Sequence, residues 1–246
     1  MINRNLVYLL VIRLCLLSFF LASCQSNPEN NKSSQSEDIN IIESPIDDAI
    51  HQGNEPIDTG FGQLDTNEWV DMMVFLEHAQ FDIKYATEDN FMGEVIYDCP
   101  ACFLRKDVAR AMKNAEAAFW KEGYSMLIYD CYRPAIYQQK LWDIMPDKRY
   151  VAPPTKGSNH GRGTAVDLTL VDTLSGEPLD MGTPYDFFGK EAHPGYPHHL
   201  EEVQNNRLLL TGIMEDSGFR PITSEWWHFD FSGQRQELSE ALWSCD

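Results

Sequence analysis

Two histidines, an aspartate, a glutamate and an arginine stand out in this chain for what their side chains could do together. His160 and Asp167 lie seven positions apart in SNHGRGTAVDLTL (158–170), with Gly161 and Gly163 between them. Side chains alternate along a strand, so two residues an odd number apart on one straight strand face opposite ways. His160 and Asp167 can therefore meet only if the chain turns between them, and glycines permit such a turn. A second group, Glu225-Trp226-Trp227-His228, places a carboxylate three residues before a histidine. The aromatic residues Trp226, Trp227, Phe229 and Phe231 favour burial, and a buried imidazole or carboxylate without partners is costly. Together His160, Asp167 and His228 make a His2Asp set, and catalytic zinc commonly takes three protein ligands with a fourth position open. Glu225 would stay off the metal, able to take a proton from water. A third element is Arg133 in YDCYRP (129–134), where a strand leaves the core; a guanidinium there could donate to the oxyanion formed in peptide hydrolysis. Each fragment has a plainer reading as well: a glycine hairpin with a surface histidine, a satisfied core histidine, an arginine paired with one of many acids. Their co-occurrence favours the metal centre.

The elements that must position these residues follow from periodicity. Trp69 to Ala79 is apolar and compatible with helix or strand, and Phe81 to Gly93 reads as a short strand entering a loop. Lys106 to Glu122 is the clearest helix, with Val108, Met112, Ala115 and Phe119 at helical spacing and Gly123 as its stop. Tyr124 to Cys131 is a buried strand, Ala135 to Met145 a helix, Thr164 to Val171 a strand. Leu200 to Ser217 is a further helix ending at Gly218, and Glu225 to Phe231 is an aromatic strand. Helices and strands interleave irregularly, which predicts an α+β fold rather than a doubly wound sheet. Residues 61–246 are enough for a single compact domain with its own core.

Residues 1–23 carry Arg4, an apolar run interrupted by Arg13, and small residues before Cys24, the pattern of a secretory signal. Leu21-Ala22-Ser23-Cys24 resembles a bacterial lipobox, in which Cys24 receives the lipid. Residues 24–60 are polar and acidic with scattered prolines, which predicts a flexible tether. The formal net charge is −19, from 19 basic and 38 acidic side chains. A body this acidic repels phosphate backbones and argues against a nucleic-acid partner. No polybasic segment offers an electrostatic membrane contact, so the expected membrane link is the lipid on Cys24. Beyond Cys15 and Cys24, the cysteines Cys99, Cys102, Cys131 and Cys245 form an even set in an exported chain, consistent with disulfides of open pairing. Cys99 and Cys102 form a CxxC, but no βαβ setting and no second CxxC accompany it, so structural thiols are preferred to a redox or zinc role.

The set SNHGRGTAVDLTL, EWWHF and DCYRP resembles the zinc D-alanyl-D-alanine dipeptidase family. DIKYATEDNFMG (82–93) and LDMGTPYDF (179–187) add to the likeness, which runs from about Phe81 to Phe231. The resemblance implies a compact α+β domain with a central, mostly antiparallel sheet and flanking helices, shared with zinc D,D-carboxypeptidases and the hedgehog signalling domain. It implies one zinc ion per chain on His160, Asp167 and His228, with Glu225 as catalytic base and Arg133 stabilising the transition state. By the same resemblance Ser158 lines a small substrate pocket, Asp186 holds the substrate's amino group, and the substrate is a small dipeptide. The leader departs from the best-known members, which act in the cytoplasm. The expected place is the cell envelope, on a membrane and facing the periplasm or exterior, with a role in peptidoglycan turnover or D-amino-acid scavenging. A D,D-carboxypeptidase trimming stem peptides and a noncatalytic zinc-containing binding module are the alternatives. The wording of EWWHF and LDMGTPYDF favours the dipeptidase, and the complete ligand set with its glutamate favours an enzyme.

Overall fold

In the computed structural model, which describes residues 64–148 and 150–245, the elements follow as β1 (Trp69–Asp71), α1 (Met72–Phe75), β2 (Gln80–Phe81), β3 (Phe103–Arg105), α2 (Lys106–Lys121), β4 (Tyr124–Asp130), α3 (Ala135–Ile144), β5 (Ala165–Asp172), α4 (Glu201–Asp216), β6 (Phe219–Pro221) and β7 (His228–Phe231). The signal and tether expected at 1–23 and 24–60, with Cys24, lie outside the described residues. A five-stranded sheet has the order β2-β4-β5-β7-β6 and a separate pair joins β1 to β3. Among the described residues only β2–β4 is parallel, and the other strand pairings are antiparallel. This is the α+β arrangement expected, with a central, mostly antiparallel sheet.

Strand β5 holds the middle of the sheet and is buried on both faces. Alternation sends Val166, Leu168 and Leu170 to one face, where they join the hydrophobic core. The opposite face receives Asp167 and Thr169. Helix α2 supplies the same core with the stripe read from its spacing, Val108, Met112, Ala115 and Phe119, each at most 1% exposed. Leu210 and Met214 of α4 complete it. At about 25 cal/mol per Å2 of apolar surface, burial of each of these side chains larger than alanine favours the folded state by roughly 1.5–3 kcal/mol.

Four segments differ from their sequence-based reading. Trp69 to Ala79 divides into a three-residue strand and one helical turn, because the Asp71 side chain accepts from the Met73 N–H and caps the turn. The aromatic strand begins at His228 rather than Glu225: the Trp226 indole donates to Thr183 Oγ1 at 2.8 Å, and the chain bends before joining β5. Strands β3 and β6 were not foreseen. β6 is a sheet edge containing Pro221, a residue that reads as a breaker and is tolerated only at such an edge.

The four cysteines pair as Cys99–Cys245 and Cys102–Cys131. The two members of the CxxC thus bond to different partners, and the motif serves as two separate anchor points. Cys131 directly follows β4, so its disulfide fastens the strand's exit beside Arg133.

Candidate active site

The site is assembled across the three central strands. Asp167 of β5 is the register partner of His228 on β7 and of Asp130 on β4. The second pairing exists because Tyr129 is bulged out of the β4–β5 ladder, between Ile128 opposite Leu168 and Asp130 opposite Asp167. A bulge re-aims the side chains beyond it. Here it brings Asp130 into a row with Asp167 and His228.

His160 reaches this row from a single 3-10 turn, His160–Arg162, that precedes β5. Gly163 ends the turn at φ +68, a left-handed conformation that a side chain disfavours. Thus the expected turn between His160 and Asp167 is present and Gly163 makes it. Gly161 has another reason: a Cβ there would stand 3.1 Å from Leu238 Cδ2.

His160 Nε2, Asp167 Oδ1 and His228 Nδ1 converge. The two ring nitrogens are 3.1 Å apart, and Asp167 Oδ1 lies 3.3 Å from the first and 3.0 Å from the second. All three residues are buried. Each is held from behind. His160 Nδ1 is 2.7 Å from the Cys131 carbonyl, which can only accept, so that nitrogen carries the hydrogen and Nε2 turns its lone pair inward. His228 Nε2 is 2.9 Å from an Asp230 carboxylate oxygen and by the same logic donates, leaving Nδ1 as the inward lone pair. The phenol of Tyr185 donates to Asp167 Oδ2 at 2.9 Å.

Two lone pairs and a carboxylate oxygen pointing at one another need a cation between them. A proton can take the cation's place. Burial alone would lower the His228 pKa, yet hydrogen bonds to Asp167 and Asp230 outweigh it and hold the imidazole up to about 10, so a bound metal would displace the Nδ1 proton that otherwise bridges to Asp167. Burial would raise the Asp167 pKa, yet His160 and His228 hold its carboxyl well below the ordinary range. Tetrahedral bonds of about 2.0–2.1 Å to zinc place ligand atoms roughly 3.3 Å apart, close to the spacings present. The donor set therefore fits a single divalent ion with an open position, and the backing contacts are those that commonly orient metal ligands.

Glu225 sits partly buried on the bend before β7. Burial raises its pKa and Asp167 adds to that, while His228, His160 and Arg133 pull the other way. A carboxylate so placed has a stronger hold on a proton than a solvated one. Arg133 is 8% exposed. Its Nε and Nη2 donate to Asp130 Oδ2, and its Nη1 donates to Gln138 Oε1 at 3.1 Å. The guanidinium also stands 4.9 Å from the Tyr85 ring centre. Among the described residues three of its five N–H groups are engaged, leaving one on each terminal nitrogen. Its backbone N–H donates to the His160 carbonyl at 3.1 Å, which ties the β4 exit to the ligand-bearing turn.

Ser158 Oγ accepts from the Gly161 N–H at 3.3 Å, and the side chain lines a narrow crevice with Arg133, Gln138 and Leu238. Asp186, at φ +57, accepts from the Tyr85 hydroxyl at 3.1 Å. Burial raises its pKa well above the carboxylate range, with Asp167 adding to this and Arg133 opposing it. The predicted residues thus gather at one place. Asp130, Asp230 and Tyr185 were missed. Asp230 had a signal, since residues two apart on a strand share a face with His228. Asp130 stands three before Arg133 in one quoted motif and Tyr185 directly before Asp186 in another, but neither position reveals that its side chain turns to the ligand row.

The site is that of a metallopeptidase: two imidazoles and a carboxylate around one position, a free carboxylate, and a fixed guanidinium. The profile of the family described as D-ala-D-ala dipeptidase matches residues 65–242, and the chain belongs to this family. A D-alanyl-D-alanine dipeptidase of Escherichia coli is 43% identical over 166 residues, covering 68% of this chain and 86% of its own length. Another, of Enterococcus faecalis, is 33% identical over 178 residues, covering 63% and 86%. Among solved structures, the LD-carboxypeptidase LdcB aligns over 70% of this chain and 71% of its own at 18% identity and a TM-score of 0.42, too distant a likeness to add to the assignment.

Proposed function

We propose that this chain hydrolyses the dipeptide D-alanyl-D-alanine at a single zinc ion held by His160, Asp167 and His228, in the cell envelope. The observation that carries the reading is the convergence of those three inward ligand atoms. Family membership and relatives named D-alanyl-D-alanine dipeptidase supply the substrate class.

When bound there, zinc supplies Lewis-acid polarisation of a peptide carbonyl and lowers the pKa of water. Glu225 takes the proton of the attacking water and delivers it to the leaving amine, a task suited by a pKa raised above the solvated carboxylate value. Arg133 turns its remaining N–H groups to the carbonyl oxygen as that oxygen gains negative charge. Asp130, Gln138 and Tyr85 hold the guanidinium in advance, so little reorganisation is needed during the reaction. The Asp186 carboxylate pairs with the substrate's ammonium group, and Ser158 lines the pocket beside Arg133.

Activity is tested with zinc-loaded protein against free D-alanyl-D-alanine, L-alanyl-L-alanine and a stem pentapeptide ending in D-alanyl-D-alanine. Rapid cleavage of the first alone, abolished by chelator and restored by zinc, is expected. Cleavage of the pentapeptide alone would make the enzyme a carboxypeptidase. No hydrolysis of any would leave a zinc-containing binding module.

The envelope location is supported by residues 1–23, by the lipobox-like Leu21–Cys24, and by two disulfides suited to an oxidising compartment. Cys24→Ser is expected to release the protein from the membrane fraction. A wild-type chain found in the cytosol would refute this part and leave the chemistry untouched.

A further inference from the structure

We propose that Tyr185 is a positioning residue for the metal ligand Asp167, its phenol holding the carboxylate so that Oδ1 alone is presented to the ion. The inference rests on the reading of His160, Asp167 and His228 as a metal site and is independent of the substrate.

The two oxygens of Asp167 have different surroundings. Oδ1 faces His160 Nε2 and His228 Nδ1 at 3.3 and 3.0 Å. Oδ2 accepts from the Tyr185 hydroxyl at 2.9 Å. A carboxylate ligand can turn about its Cβ–Cγ bond or bind through both oxygens. A donor on Oδ2 opposes both changes, since either one breaks that hydrogen bond. The two imidazoles have their own donors' partners, Cys131 O and Asp230 Oδ1. Tyr185 does for the carboxylate what those acceptors do for the rings.

The phenol is itself held. Its ring packs against Tyr129 at 4.8 Å, Trp227 at 5.4 Å and Tyr85 at 6.5 Å between centres. The loop bearing it is fastened at Thr183 by the Trp226 indole and at the Met181 carbonyl by the Arg207 guanidinium. Asp186 follows at φ +57, so the chain reverses after Tyr185 and the next carboxylate turns to Tyr85. Adjacent residues of one loop thus serve the metal ligand and the proposed ammonium pocket.

The test compares wild type, Tyr185→Phe and Tyr129→Phe without peptide present. Zinc affinity is read by competition with a chromophoric chelator, and coordination by the visible absorption of the cobalt-substituted protein. Phenylalanine preserves the ring packing, so the Tyr185→Phe apoprotein is expected to melt with wild type. Its zinc Kd is expected to rise roughly tenfold to a hundredfold, as when other outer partners of metal ligands are removed, with an altered cobalt spectrum. Tyr129→Phe, which removes a phenol from the same aromatic cluster, is expected to change neither. Wild-type affinity and spectrum in Tyr185→Phe would overturn the proposal, as would equal losses in the two variants or a marked drop in the Tyr185→Phe apoprotein melting point. A wild-type chain that binds no zinc would remove it together with the metal site, whereas failure to cleave D-alanyl-D-alanine would bear only on the substrate.

Discussion

His160 Nε2 and His228 Nδ1 stand 3.1 Å apart although 68 positions separate the residues in the chain. Different ring nitrogens face inward because the other nitrogen of each ring is engaged, by a backbone carbonyl for His160 and by a carboxylate for His228. The pair is a tautomer-selected half of a metal site. Replacing His160 with alanine should remove a ligand and leave His228 and Asp167 as an inadequate pair. Elemental analysis is expected to show one zinc per wild-type chain and almost none in His160→Ala. A full equivalent in the variant would contradict the ligand assignment.

Glu225 is predicted to separate metal binding from turnover. Glu225→Ala should retain zinc and lose turnover by at least a hundred- to ten-thousandfold, the range over which a positioned acid–base group acts. Paired metal analysis and steady-state rates check this, and near-normal kcat would remove Glu225 from the mechanism.

Asp186 should shape the acid limb of kcat/KM. Burial holds its proton to a higher pH than an ordinary carboxylate, Asp167 and Glu225 reinforce this, and Arg133 and Tyr85 oppose it. As pH falls through the raised pKa, Asp186 becomes neutral and loses its attraction for the substrate ammonium. Efficiency is therefore expected to decline on the acid side at a pH above the usual carboxylate range. Asp186→Asn should lower kcat/KM and flatten that limb, while an unchanged limb would assign it to another group.

The Cys102–Cys131 disulfide joins the approach to β3 with the strand exit whose carbonyl orients His160. The double variant Cys102→Ala/Cys131→Ala is expected to lose about 2–4 kcal/mol in denaturant unfolding. Because the two CxxC cysteines bond to different partners, the protein should show no disulfide-reductase activity towards insulin.

Gly157 adopts φ +64, and a Cβ placed there would overlap the Leu238 side chain. Gly157→Ala should combine a left-handed backbone penalty of about 1–2 kcal/mol with steric overlap. Adding Leu238→Ala relieves only the overlap, so the pair is expected to be non-additive in chemical denaturation. Simple additivity would show that Leu238 moves aside freely.

Much of the site was legible before folding was considered. His160, Asp167, Glu225, His228 and Arg133 lie in short motifs whose residue types are costly to bury without a shared purpose, and their convergence follows. The α2 stripe was equally readable, because an amphipathic helix writes its buried face into local spacing. The bulge at Tyr129 was not, since nothing local marks which residue drops out of a ladder formed with a strand forty positions away. Nor was the shortening of the EWWHF strand, which depends on an indole finding Thr183.

Local chemistry by itself determined which side chains could bind a cation, where the chain turns to let His160 meet Asp167, and which helices bury which faces. Tertiary structure decided the partners: which nitrogen of each histidine looks inward, which cysteines join, and that Asp130, Asp230 and Tyr185 stand behind the site. Composition and periodicity act over a few residues, whereas hydrogen-bond partners are chosen among groups brought together only when the sheet closes and its core is packed.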